Sequence, residues 1–350
     1  MKIVHIIWAM SIGGTESMLV DIINEQSKIE EVHLIIVNRI EAKALTKNIS
    51  KKVIVHRINR MPGSRNILDA IFSNIKLRLI CPDIVHCHNH ELVKYFPFVR
   101  HVKTKLFLTI HTTGITILNL YNYHKLFAIS DSIKKDVLVR SKLLPVTVHN
   151  GVRTDKIKKK EGYSFSIFKM VQVGRLFQQQ KGQDIVLQAI NYLVYSKNIS
   201  NISVDFIGDG PSKEPLLSLA KKLNVLDFCN FVGLKEREWI YEHLCDYDLL
   251  LQPSRQEGFG LTVAEALAAK IPVLISNLEG PMEIIDNGKF GYYFTSENSK
   301  ELANKIFEIQ INYTSKQIKE KIEKGYAKVV QSYDIKQTAL TYLKYYMNNV

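Results

Sequence analysis

The chain has 350 residues, 46% apolar and 23% charged, ordinary globular values that exclude a disordered or collagen-like protein. At roughly 100–200 residues per domain, that length implies two domains. The formal charge of +13 is uneven: residues 1–150 hold 21 Lys and Arg against 11 Asp and Glu, a surplus of 10, whereas residues 151–350 hold 26 against 23, a surplus of 3.

From the start, residues 3–10 are mostly apolar behind Lys2, but His5 interrupts the run and Gly13-Gly14 follows, which suits a strand ending in a tight loop rather than a secretory leader. Strands are expected at 2–8, 32–37, 53–57, 84–88, 105–110, 125–129 and 145–149, with helical patterns at 15–26, 67–80 and 132–143. A charged stretch without apolar period, 155–163, reads as a linker. Beyond it, strands are expected at 168–173, 203–207, 228–232, 249–252 and 272–276, and helices at 183–196, 213–223, 236–244 and 261–269. Residues 300–350 look helical throughout.

Strands alternating with helices imply an α/β protein with parallel, doubly wound sheets. The expected division is 1–160, 161–332 and a final helix, 333–350, returning to the first domain. Two such domains form a cleft, and ligands of these sheets bind outside the carboxyl ends of the strands.

The most informative segment runs from Pro253 to Ala266. An apolar strand ends at Gln252, a loop carrying Gly258, Phe259 and Gly260 follows, and a helix begins near Leu261. Glycines let backbone N–H groups approach a ligand, and the helix N-terminus adds partial positive charge, so the turn suits a diphosphate. Glu257 and Glu265 flank it as acceptors for sugar hydroxyls, since carboxylates repel phosphate. A second strand-to-helix loop, 174–182, carries Arg175 and Lys181, which can neutralise a leaving diphosphate; a charged hydrogen bond contributes roughly 1.5–3 kcal/mol. A third, Gly208-Asp209-Gly210-Pro211, has G-x-G without the third glycine, and no acidic residue is placed for a dinucleotide ribose. Phe231-Val232-Gly233 can line a base pocket with backbone groups.

Taken in order, the 175–182 segment, Gly208 to Pro211, Phe231 to Gly233, Glu257 to Gly260 and Glu265 resemble family 4 of the retaining glycosyltransferases, which have the GT-B fold. The likeness is close over about 170–290, including Pro272-Val273, Gly280, Glu283 and Gly291, and looser before it, through Gly13 to Glu16, Asp83 to His86, His111, Ser130 and Asn150 to Val152. The resemblance implies roles: Arg175 and Lys181 on the donor diphosphate, Glu265 on the ribose hydroxyls, Glu257 on the 3- and 4-hydroxyls of the donor sugar, Gly14 near the phosphate or acceptor, and His111 near the sugar's 6-hydroxyl. It further implies retention of configuration without a metal or other cofactor, the departing phosphate helping to remove the acceptor's proton.

Other features fit less specific roles. Asp246-Tyr247-Asp248 imitates a metal-binding D-x-D but precedes an apolar strand and reads as a turn. His86, His88 and His90 share one face of a strand, with no fourth group to complete a zinc site. Cys81, Cys87, Cys229 and Cys245 form no C-x-x-C pair and suit a reducing, cytoplasmic compartment. The basic segments 76–78, 100–105 and 134–142 suit an anionic lipid surface and a lipid-linked glycan acceptor at the inner face of a membrane. The expected partners are therefore a nucleotide sugar, UDP-linked in preference to GDP-mannose, and a glycan of a bacterial surface polysaccharide. A sugar-nucleotide epimerase of the same architecture is the enzymatic alternative. A basic nucleic-acid-binding protein is the other, but it calls for aromatics interleaved with Lys and Arg on sheet faces.

Overall fold

The computed structural model describes residues 1–64, 66–96, 103–162 and 166–349. Arg100 and His101 of the basic segment 100–105, and Tyr163 at the end of the expected linker, lie outside the described residues. The chain divides into two compact units, Met1–Gly151 with Ile335–Val350, and Val152–Asp334.

In the first unit, β1 (Lys2–Ile7), β2 (Glu31–Asn38), β3 (Ile54–Arg60), β4 (Ile84–Cys87), β5 (Lys105–Ile110), β6 (Lys125–Ala128) and β7 (Val146–Thr147) form a parallel sheet in the order β3-β2-β1-β4-β5-β6-β7. The inner strands are almost continuously apolar because helices cover both faces of such a sheet. The closing helix Ile335–Met347 packs on helix Gly14–Gln26; Ile335, Tyr342, Leu343 and Tyr346 share a core with Ile3, Met18, Ile22, Ile84, Phe107 and Phe127.

In the second unit, β8 (Phe168–Val173), β9 (Ile202–Ile207), β10 (Cys229–Gly233), β11 (Leu249–Gln252), β12 (Val273–Ser276) and β13 (Tyr292–Phe294) form a parallel sheet in the order β10-β9-β8-β11-β12-β13. Both sheets therefore reverse strand order once, between β1 and β4 and between β8 and β11. In doubly wound folds the ligand crevice lies at that reversal, beyond the carboxyl ends of the strands.

The chain leaves the first unit at Gly151, earlier than the expected boundary at 160. The charged stretch is not a free linker: the Lys158 N–H bonds to the Tyr241 carbonyl at 2.9 Å, the Lys160 N–H to the Ala269 carbonyl at 2.8 Å, and Lys160 Nζ pairs with Asp248 at 3.0 Å. Charge without periodicity hid this, because the segment is held by partners distant in sequence. Strand β13 was also missed; three residues at a sheet edge carry too little pattern to register. Helix Gln183–Asn191 continues as a π-helical turn, Tyr192–Ser196, within the expected helix 183–196.

Candidate functional site

The loops that follow β8 and β11 carry the two most informative motifs, and these strands are neighbours at the reversal of the second sheet. Topology thus brings Lys181 and Glu257 together. Lys181 Nζ donates to Glu257 Oε2 at 2.8 Å, and both side chains are part-buried. Gln252, at the end of β11, donates from Nε2 to the same carboxylate oxygen at 3.4 Å and to Thr262 Oγ1 at 3.3 Å.

Backbone shape holds the two loops in register. Gly182 has φ +66°, and a β-carbon built there falls 2.0 Å from the Pro253 carbonyl oxygen, so only glycine lets the loops touch. Arg255 ties them further. Its N–H reaches the Gln180 carbonyl at 2.8 Å, and its guanidinium makes a two-pronged pair with Asp184 at 2.7 and 2.9 Å. The same guanidinium bonds to the Gln178 carbonyl at 2.5 Å and to both oxygens of Glu297. These carboxylates raise the guanidinium pKa above its already high ordinary value. Behind the loops, Gln172 Nε2 donates to the Lys181 carbonyl at 2.7 Å, and Gln183 Nε2 to the Arg175 carbonyl at 3.0 Å.

Gly260 precedes helix Leu261–Ala268 with φ +106°, a conformation that turns the chain sharply from the Gly258-Phe259 loop into the helix. The Phe259 ring is only 1% exposed and meets the Tyr333 ring edge-on at 5.5 Å, so this residue can offer a ligand its backbone alone. Glu265, one turn into the helix, is 6% exposed and is not part of the Lys181 pair; its Oε1 lies 3.6 Å from Arg237 Nε, and the Arg237 guanidinium stacks over the Tyr241 ring at 5.0 Å. The Arg175 side chain is exposed at the start of its loop. Gly210 belongs to a loop laced to the 174–182 loop by Leu176 N–H to the Asp209 carbonyl at 3.0 Å and Ser212 N–H to the Leu176 carbonyl at 2.9 Å. Val232 lies at a bulge of edge strand β10, where the register jumps from Phe231 to Gly233. A bulge takes its extra residue out of the ladder, which leaves backbone groups to face a ligand.

Asp248 of the D-x-D triplet is spoken for: besides Lys160, it accepts from the Lys169 N–H at 2.9 Å. Tyr247 donates to Asp205 at 2.8 Å. These contacts are those of a helix-to-strand turn.

In the first unit, Gly14 is exposed and begins helix Gly14–Gln26, with the Glu16 carboxylate accepting from Ser11 Oγ at 2.6 Å beside it. His111 lies one residue beyond β5 and contacts His88 at 3.4 Å. Of the alternating histidines, His86 and His88 are buried with His5, and His90 falls beyond the strand, outside that group.

The family profile described as "Glycosyl transferases group 1" matches residues 154–326, nearly the whole second unit. That segment of the chain belongs to the group 1 glycosyl transferases. An uncharacterized glycosyltransferase of Methanocaldococcus jannaschii is 26% identical over 235 residues, which cover 67% of this chain and 60% of that protein. The chain thus spans less than two thirds of that relative's length. Among solved structures, a glycosyltransferase from Rickettsia africae superposes with a TM-score of 0.84 over 99% of this chain and 98% of its own, at 18% identity. The Anabaena protein HepE, solved in complex with UDP, superposes with a TM-score of 0.82 over 99% and 100% of the two chains, also at 18% identity. Identities this low establish the shared GT-B fold and nothing finer.

Four residues around the candidate site escape sequence reasoning: Gln252, Arg255, Arg237 and Gln172. Arg255 sits inside the most informative segment and Gln252 just before it, but their partners, Asp184, Glu297 and Thr262, are set by folding. Arg237 lies on helix Arg237–His243 among other charged residues, where nothing local separates it from a solvated face. No helix among the described residues is long and apolar enough to cross a membrane.

Proposed function

We propose that this glycosyltransferase moves a hexose or N-acetylhexosamine from a nucleoside diphosphate to a glycan acceptor, with retention of configuration and no cofactor. The observation that carries the proposal is the Lys181–Glu257 pair at the sheet's reversal, beside the glycine turn that opens helix Leu261–Ala268. Cation, carboxylate and helix amides lie together, as a phosphorylated sugar requires. Arg175, Lys181 and the amides of Gly258 to Leu261 take the charge that builds on the departing diphosphate. Glu257 accepts from hydroxyls of the donor sugar, and Glu265, steadied by Arg237, from those of the ribose. Backbone groups at Gly210 and Val232 border the base. The bond from the sugar's anomeric carbon to the diphosphate breaks, the acceptor oxygen bonds to that carbon on the same face, and the acceptor's proton passes to the departing phosphate. Catalysis is then electrostatic, with preplaced donors aimed at developing charge. That HepE was solved with UDP and, in another structure, with UDP-glucose supports a UDP-linked donor. Mass-spectrometric screening of nucleotide sugars for hydrolysis and transfer tests the reading; turnover of none of them would sink it.

We propose further that the acceptor is lipid-linked and that the first unit docks on an anionic membrane surface. Helix Ile67–Ile80 is apolar on both faces: Leu77 and Ile80 are buried beside Ser73 and Asn74, while Ile71, Phe72, Ile75 and Leu79 are exposed, Phe72 by 63% and Leu79 by 81%. Lys76 and Arg78 are exposed on the same helix. An exposed apolar stripe flanked by cations suits the headgroup boundary of anionic lipid. A second copy of the chain would bring like charges together.

A further inference from the structure

Strands β3, β2, β1 and β4 are successive neighbours in the first sheet, and polar side chains line their carboxyl ends. Arg60 ends β3, Asn38 ends β2, Trp8 follows β1, and Asn89 lies two residues beyond β4. Asn38 Oδ1 accepts from Arg60 Nη1 at 2.8 Å, and Asn89 Oδ1 accepts from the Trp8 backbone N–H at 3.1 Å. A guanidinium and a backbone amide can only donate, so each carboxamide turns its oxygen to the protein and has its NH₂ group left over. The Asn38 N–H bonds to the Trp8 carbonyl at 2.7 Å, which ties the row together. The Arg60 guanidinium donates to the Ser64 carbonyl and lies over the Trp8 ring at 5.4 Å and the Tyr95 ring at 5.6 Å. The two rings meet edge-on at 5.3 Å.

Among the described residues, the Asn38 and Asn89 NH₂ groups and the Trp8 indole N–H make no hydrogen bond, none of these nitrogens is shielded from solvent, and Arg60 makes no ion pair. Carbonyls and rings orient the guanidinium without cancelling its charge. Amide NH₂, indole N–H and guanidinium are donors only. A row of donors with one uncancelled cation, and no acceptor of its own left over, matches a ligand group that only accepts and carries negative charge. Neighbouring strands lie about 4.8 Å apart, so the row from β3 to β4 runs about 14 Å, long enough for a saccharide and its anionic group. Its β1–β4 end is the reversal of the first sheet, where ligands of doubly wound folds sit.

We infer that Asn38, Arg60, Trp8 and Asn89 form a subsite in the first unit for an oxyanion carried by a saccharide, either a sugar phosphate or a sugar carboxylate. The inference deepens the proposed function by naming the chemistry of the acceptor, and it rests on that reading for the ligand's being an acceptor. The part-exposed Trp8 and Tyr95 rings give the saccharide an apolar surface beside the cation. A lipid-linked acceptor supplies the oxyanion as its phosphate, and an acidic polysaccharide supplies it as a uronate. A neutral sugar supplies none and leaves the guanidinium unmatched.

The test uses the full chain with ¹⁵N-labelled tryptophan. Trp8 is one of two tryptophans, and Trp239→Phe identifies its indole N–H signal in ¹H–¹⁵N spectra. Glucose 1-phosphate, glucuronate, glucose and inorganic phosphate are titrated separately. Glucose 1-phosphate or glucuronate is expected to shift the Trp8 signal saturably, and whichever of them binds tells a phosphate-linked acceptor from an acidic sugar. A shift from neither, or an equal one from glucose or from inorganic phosphate, overturns the inference. Asn89→Asp still accepts from the Trp8 N–H but replaces the outward NH₂ with a charged oxygen; Arg60→Gln keeps donors and removes the charge. Each is expected to weaken binding of the responding ligand about tenfold or more. Unchanged affinity in both variants overturns the inference as well. If the Trp8 signal responds as expected yet no nucleotide sugar is turned over, the oxyanion subsite stands and the transferase reading falls; turnover without that response keeps the reading and removes the subsite.

Discussion

Lys181 and Glu257, 76 residues apart in sequence, form an ion pair of 2.8 Å at the carboxyl end of the second sheet. Each side chain satisfies the other; on the proposed function, a ligand entering here exchanges their mutual contact for its own hydroxyl and phosphate. Glu257→Ala is expected to lower the transfer rate about 10²- to 10³-fold. Its thermal stability should change little, since a part-exposed pair contributes only about 0–1 kcal/mol. Transfer kinetics beside a thermal melt check this; an unaltered rate removes Glu257 from the donor site.

Arg255 joins the 253–260 loop to Asp184 and Glu297. Arg255→Ala leaves those carboxylates without their shared cation and frees the loop from Gln178 and Gln180. The expected result is a loss of about 1–3 kcal/mol in denaturant unfolding together with weaker UDP binding. Arg255→Lys should recover little, because an ammonium cannot reproduce the two-pronged contact.

At Gly182 the obstacle is steric. Ala there combines a φ of +66° with a β-carbon 2.0 Å from the Pro253 carbonyl oxygen. Gly182→Ala is expected to cost about 2 kcal/mol or more and to separate the Lys181 and Glu257 loops. Urea unfolding and UDP titration should both register it; a wild-type response in both contradicts the loop contact.

The buried histidines predict acid lability. An unfolded imidazole titrates near about 6.5, whereas folded His5 and His111 stay neutral down to about 4, His86 and His88 lying below the ordinary value as well. Below pH 6.5 the unfolded chain binds protons that the folded chain refuses. Their contribution to stability is therefore complete above about pH 6.5 and is lost as pH falls toward 4. Unfolding free energies measured across that range should fall with pH, and replacing His5 with Gln should flatten the slope.

For the membrane face, Phe72→Glu and Leu79→Glu place charge on exposed positions, so melting temperature should hold. Flotation with liposomes containing anionic lipid at low salt should drop severalfold. Flotation unchanged by both substitutions removes helix Ile67–Ile80 from the contact, and concentration-dependent association of the wild type without lipid would point to a second copy instead.

The architecture was legible because its signals are local. Apolar runs of strand length alternating with amphipathic helices imply parallel doubly wound sheets, and a glycine-bearing loop between strand and helix suits an anion. Lys181, Glu257 and Gly260 could be picked out on those grounds alone. Pairings between distant residues could not. Strand order decides that the loops after β8 and β11 are neighbours, that Arg255 finds Asp184 and Glu297, and that Glu265 meets Arg237 and not Lys181. The same holds for His5, whose partners come from β4, the residue just after it and a helix end, and for His90, which shares the spacing of His86 and His88 but not their environment. Helix Ile67–Ile80 carries apolar residues on two faces; only packing shows that Leu77 and Ile80, with Ser73 and Asn74, turn inward and leave Phe72 and Leu79 exposed. Fold class and the residues in the loops after β8 and β11 were readable from the sequence alone, because propensity and periodicity act over a few residues. Tertiary structure alone decided which of them meet, because those contacts depend on where the chain returns to itself.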